Sequence, residues 1–74
     1  MIEVFTGENC PNCLALKKRL NDEGIEFIEL HTEEEEIMLK MYMIGRCTVP
    51  TVALDGMVVD YESLEELIVQ LKRK

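Results

Sequence analysis

The chain has no tryptophan, two phenylalanines and two tyrosines among its 74 residues, so Leu, Ile, Val and Met must fill its core. Cysteine is scarce and odd in number, three in all, which argues against a structural disulfide framework and fits a reducing compartment with a reactive pair and a spare thiol. Basic residues are outnumbered, eight against fifteen acidic, giving a net charge of −7. That balance excludes nonspecific nucleic-acid binding, which depends on Lys and Arg neutralising phosphates. It favours solubility and steering toward a basic partner. No apolar run approaches the ~18 residues of a membrane-crossing helix. The start, Met1-Ile2-Glu3-Val4-Phe5, lacks the basic segment and apolar stretch of a signal peptide, so a cytoplasmic protein is expected. Repeats, linkers and low-complexity segments are absent too, and the length suits one small domain over residues 1–74.

What is present is a regular succession of short elements. Ile2-Glu3-Val4-Phe5-Thr6 alternates with period two and reads as a first strand, followed by the loop Gly7-Glu8-Asn9. A helix begins at Pro11, where a missing N–H costs nothing. It runs to about Asp22 or Glu23 with Leu16 and Leu20 inward, and Gly24 terminates it. Residues 25–30 read as a second strand, ending at His31. Thr32 and Glu35 form a capping box for a helix over about 34–44 that stops at Gly45. Residues 49–54 form a third strand with Pro50 at its start. Asp55-Gly56 is a hairpin turn, and 57–59 return as a fourth strand. The last helix starts near Glu62, with Leu64, Leu67, Ile68 and Leu71 on one stripe, and ends on Lys72-Arg73-Lys74. The order is β-α-β-α-β-β-α, with a parallel first pair and an antiparallel final hairpin.

Cys10-Pro11-Asn12-Cys13 stands between the first strand and the first helix. Two thiols three positions apart at a helix start can close a small disulfide and reopen. The positive end of the helix dipole favours a thiolate there. A C-x-x-C so placed reads as a redox motif, with a structural or metal-binding C-x-x-C as the bland alternative.

Joined to Thr48-Val49-Pro50 and to the hairpin and helix that follow, this motif resembles the glutaredoxins of the thioredoxin-fold superfamily. The resemblance implies a three-layer α/β/α fold on a four-stranded mixed sheet, and thiol–disulfide exchange as the activity. It implies Cys10 as attacking thiolate, Cys13 as resolving thiol through a redox-active Cys10–Cys13 disulfide, and a cis bond before Pro50. Pro11 belongs to the same motif. Asn12, Thr48, Val49, Asp60, Tyr61 and Glu62 fall where relatives contact substrate, and a cis Pro50 would present the backbone of Val49 to an incoming extended chain. Neither a bound cofactor nor a metal is implied. Disulfide-bearing proteins are the expected substrates of a monomer.

Two departures bear on the electron donor. Relatives usually carry a lysine shortly before the first cysteine, where this chain has Gly7 followed by Glu8. Glutathione-using members carry Gly-Gly and [CST]-Asp after the last strand, where this chain reads Val58-Val59-Asp60-Tyr61-Glu62-Ser63. These differences point toward a flavin-dependent, NADPH-driven thioredoxin reductase as donor, as for the small NrdH-type redoxins that serve ribonucleotide reductase. A glutathione-dependent glutaredoxin is the alternative. With no nearby lysine, the Cys10 pKa is expected below the free-thiol value but above that of lysine-bearing relatives. From another class, a Cu or Zn carrier using the C-x-x-C is a rival, although such carriers run β-α-β-β-α-β with no proline inside the motif. A cluster-bridging role would call for C-G-F-S and glutathione. Cys47 reads as a spare side chain, with a regulatory, metal-binding or dimer-forming thiol as alternatives. His31 reads as a surface histidine, Glu33 to Glu36 as a solvated helix start, and the methionines near 38–43 as core filling, with a partner surface or weak dimer contact as the alternative.

Overall fold

The computed structural model describes residues 1–73; Lys74 lies outside the described residues. Its elements follow the expected order: β1 (Ile2–Thr6), α1 (Pro11–Asp22), β2 (Ile28–His31), α2 (Glu35–Met43), β3 (Thr51–Leu54), β4 (Met57–Val58) and α3 (Leu64–Lys72). The four strands form one sheet in the order β2-β1-β3-β4. β1 runs parallel to β2, with Val4 opposite Glu29, and antiparallel to β3, with Val4 opposite Val52. The hairpin β3–β4 is closed by Asp55 and Gly56, both at positive φ (52° and 85°), as a type I′ turn requires.

Period-two alternation along the central strands divides the core between the two faces of the sheet. Val4 and Val52 point to one side and pack with Leu16 and Leu20 of α1 and Leu67, Ile68 and Leu71 of α3. Phe5 and Ala53 point to the other and meet Met41 of α2. Helices on both faces of a mixed sheet give the three layers. Full burial of each large apolar side chain contributes about 1.5–3 kcal/mol, so the fully enclosed Phe5, Leu16, Leu20 and Leu67 anchor the structure. Only Met41 of the α2 methionines is buried; Met38, Leu39, Tyr42 and Met43 are exposed, so core filling accounts for part of that apolar helix alone.

Several boundaries differ from the sequence reading for local reasons. The second strand starts at Ile28 and not Ile25, because Ile25 is taken by the end of α1. The Gly24 N–H bonds the Asn21 carbonyl and the Ile25 N–H reaches back to Leu20 (3.1 and 2.9 Å), a Schellman closure with Gly24 at φ 71°. Thr32 does not cap α2. Its hydroxyl and its N–H both donate to the Thr6 carbonyl at 2.9 Å, supplying partners where the β1 ladder ends. Glu34 takes the N-cap position of α2 without a side-chain cap.

At the third strand, the Thr51 hydroxyl donates to the Thr48 carbonyl (2.7 Å) and closes a turn, leaving Val49 and Pro50 outside the ladder. The fourth strand ends at Val58, although the Val59 N–H still bonds Val52. α3 starts at Leu64, because Ser63 is its cap. The Ser63 Oγ accepts from the Glu66 N–H, and the Glu66 carboxylate accepts from the Glu62 N–H. Arg73 caps the far end.

Candidate active site

Sequence places the motif cysteines at the junction of β1 and α1, and local chemistry fixes their orientation. Asn9 adopts φ 52°, a left-handed conformation asparagine tolerates, and delivers the chain to the helix start. Cys10 is the N-cap in extended conformation, and Pro11 takes the first helical turn. The N–H of Cys13 donates to the Cys10 sulfur and also to the Cys10 carbonyl, both at 3.1 Å. Cys10 and Cys13 are joined as a disulfide, with Cα atoms 5.2 Å apart. Cys10 is partly exposed, whereas Cys13 is 2% exposed, so Cys10 is the more accessible of the two.

Beneath this loop lies a small polar network. Thr6, buried at the end of β1, donates its hydroxyl to Glu29 (2.8 Å), and Lys17, one turn beyond Cys13, bonds the same carboxylate oxygen at 2.8 Å. The Lys17 ammonium holds the Glu29 carboxyl below its ordinary range; partial desolvation opposes this and the Thr6 hydroxyl assists it. His31 stands 3.9 and 3.8 Å from the carboxylates of Glu29 and Glu33, exposed at the surface and paired with Thr6 in the sheet, at the strand end that leads into the motif loop.

The second wall is the loop before β3. The Val49–Pro50 peptide bond is cis, as the family resemblance implied. Gly7 allows Val49 to approach closely: a Cβ on Gly7 would sit 3.2 Å from Val49 Cγ2 and 3.4 Å from the Thr32 hydroxyl. Among the described residues, neither the N–H nor the C=O of Val49 has a hydrogen-bond partner.

A groove of about 420 Å³ runs beside Asn12, the residue between the two cysteines, and brings together Thr48, Pro50, Asp60, Tyr61 and Glu62. Of the expected contact residues, Val49 is not on its lining. Burial pushes the Tyr61 phenol above its ordinary pKa. One lining residue escaped the sequence reading: Arg46, which forms an ion pair with Asp60. The only advance signal was its place two residues before Thr48, which says nothing of a partner fourteen positions on. A larger hollow of about 750 Å³ lies at the opposite end of β1 and α1, lined by Ile2, Gly24, Ile25 and Phe27 among others. It holds no nucleophile and is remote from the disulfide along both elements. Cys47 is an exposed free thiol.

Among the described residues, no group of three or more His, Cys, Asp and Glu side chains is arranged to hold a metal ion. The observed element order is also not the β-α-β-β-α-β of the copper carriers. No helix among the described residues is long and apolar enough to cross a membrane.

Comparison with known proteins agrees with this geometry. The glutaredoxin family model matches residues 2–59. Glutaredoxin 3 of Escherichia coli (strain K12) is 36% identical over 59 residues, covering 74% of this chain and 69% of that protein. Among solved structures, the thioredoxin-like protein BC3987 superposes with a TM-score of 0.81 at 30% identity, covering 96% of this chain and 99% of that one. Wheat glutaredoxin gives a TM-score of 0.68 at 25% identity, over 97% of this chain and 69% of that one. With its cysteine pair closed at the head of α1 in a thioredoxin fold, the chain belongs to the glutaredoxin family and is a thiol–disulfide oxidoreductase.

Proposed function

We infer that this protein reduces disulfides at the expense of glutathione, with residues 1–74 acting as one domain. The observation that carries the reading is the disulfide itself: a partly exposed Cys10 and a buried Cys13 beside a groove of ligand size. In the reduced protein, the Cys13 N–H that meets the Cys10 sulfur favours the thiolate of Cys10, as does the start of α1. The Cys10 thiolate attacks one sulfur of a substrate disulfide, forming a mixed disulfide, and the other substrate sulfur leaves as a thiolate. The Cys13 thiol then gives up its proton and attacks the Cys10 sulfur. The Cys10–Cys13 bond closes and the second substrate thiol departs, two electrons having passed to the substrate. Two glutathione molecules reverse the process and leave as glutathione disulfide.

Asn12, Thr48, Asp60, Tyr61 and Glu62 contact the peptide part of the ligand, while the free N–H and C=O of Val49 pair with its backbone. Pro11 fixes the start of α1 and Pro50 the loop facing it. Kinship with Glutaredoxin 3 over more than two thirds of that protein supports glutathione over the reductase that the missing glycine pair suggested. Without those glycines, Val59 and Asp60 keep the backbone there further from a ligand.

A second reading rests on the likeness to BC3987, a thioredoxin-like protein of nearly equal length. In it, a flavin-dependent reductase supplies the electrons in the cytoplasm, and a protein such as ribonucleotide reductase accepts them from a monomer. Coupled turnover separates the two. NADPH oxidation with glutathione and glutathione reductase is expected to exceed that with thioredoxin reductase. Turnover with thioredoxin reductase alone would overturn the first reading in favour of the second.

A further inference from the structure

Arg46 and Asp60 belong to the two opposing loops of the groove, and each is fixed by its backbone. The Arg46 N–H closes the end of α2 on the Met41 carbonyl (3.1 Å), and the Asp60 carbonyl accepts from the Gln70 side chain of α3 (2.8 Å). The two side chains meet as an ion pair across the lining. Asp60 is not needed to cap α3, since Ser63 and Glu66 do that. Among the described residues, Arg46 is the one basic side chain on the groove, facing the acids Asp60 and Glu62.

We propose that the Arg46–Asp60 ion pair is a latch that sets the selectivity of the site among thiols by charge. The proposal rests on the glutathione reading above and adds a regulation of that same groove. A ligand carboxylate that seeks the guanidinium finds it occupied by Asp60, so an anionic thiol binds by exchanging one carboxylate for another. A neutral thiol makes no such exchange. Both partners are solvent-exposed, 39% and 81% by side chain, so the pair is weak enough for a ligand to open. Asp60 thereby lowers the advantage an anionic thiol would draw from Arg46.

The test is stopped-flow reduction of the oxidised protein by three thiols: glutathione, 3-mercaptopropionate (anionic) and 2-mercaptoethanol (neutral). In each, a thiolate attacks the Cys10 sulfur, the Cys10–Cys13 bond breaks, and Cys13 leaves as the thiolate. Asp60→Asn is expected to raise the rate ratio of 3-mercaptopropionate to 2-mercaptoethanol about three- to five-fold, the size appropriate to an exposed charge pair. Glu62→Gln removes the same charge from the same groove without touching Arg46, and gives a smaller rise. In an Arg46→Gln background the Asp60→Asn gain disappears. Equal gains from Asp60→Asn and Glu62→Gln, a gain that survives Arg46→Gln, or a ratio within two-fold of wild type would each overturn the latch. Failure of the glutathione reading looks different: glutathione reduces every variant no faster than 2-mercaptoethanol, while 3-mercaptopropionate still responds to Asp60→Asn. That pattern keeps the latch for anionic thiols and removes glutathione as the donor.

Discussion

Truncating Glu29 to alanine is expected to destabilise the oxidised protein by about 2 kcal/mol, although the residue sits on an edge strand. The size follows from what its carboxylate holds. The Thr6 residue is 2% exposed, and its hydroxyl donates to Glu29 at 2.8 Å. Without that acceptor a buried donor is stranded, which costs about 1–3 kcal/mol. Lys17 loses a partner at 2.8 Å in a pair about one-quarter exposed on each side, and partial solvation limits that share to about 1 kcal/mol. Lys17→Ala leaves the Thr6 hydroxyl satisfied and should therefore cost less than Glu29→Ala. The pH dependence has a fixed sign. The folded-state pKa of Glu29 is lowered, chiefly by Lys17. Its contribution is therefore present in full above the unfolded glutamate value of about 4.3 and fades as pH falls through the lower folded value. Urea unfolding of wild type, Glu29→Ala, Glu29→Gln and Lys17→Ala at pH 7, 5 and 3.5 measures all of this. A cost below about 0.5 kcal/mol for Glu29→Ala, the level of an ordinary surface change, would show that Glu29 does not hold the Thr6 hydroxyl, and a wild-type and Glu29→Gln difference constant with pH would show that its charge contributes nothing.

Three further expectations concern the site and its supports. Gly7→Ala puts a Cβ 3.2 Å from Val49 Cγ2, and the resulting crowding should cost about 1 kcal/mol in urea midpoints; an unchanged midpoint would mean that Val49 yields freely. Ser63→Ala removes the acceptor for the Glu66 N–H and should cost about 1 kcal/mol, read in the same assay; an unchanged midpoint would mean that this cap contributes nothing. Alkylation of reduced Cys10 should show a midpoint below the free-thiol value of about 8.5, because the Cys13 N–H meets that sulfur; a midpoint at about 8.5 would contradict the activation.

Much of this architecture is legible in the chain because its signals are local. Period-two alternation in residues 2–6, glycines at 24, 45 and 56 that all take positive φ, and Pro11 at the start of α1 each mark an element without reference to distant partners. Errors arise where a residue's partner is remote. Thr32 has the spacing of a cap, yet its hydroxyl serves the Thr6 carbonyl 26 positions earlier. Ile25 and Phe27 have strand character, but they pack against the core from the segment between α1 and β2. The motif cysteines are readable because they sit three apart at a helix start. Arg46 is not, since its significance comes from Asp60 across the groove, and a single arginine after a helix-ending glycine carries no mark of that pairing. The place of Gly7 is similar: the glycine itself is visible in the sequence, while the close approach of Val49 appears only in three dimensions.

Mass mapping of glutathione adducts on single-cysteine variants of the motif shows which of the two sulfurs attacks. Cys13→Ser, treated with glutathione disulfide, should retain one glutathione on Cys10 and turn over no protein disulfide through the dithiol route. Cys10→Ser should acquire no adduct on the buried Cys13. An adduct carried by the exposed Cys47 and absent from Cys10 in Cys13→Ser, or disulfide reduction that survives in Cys10→Ser, would contradict the assignment of attack to Cys10.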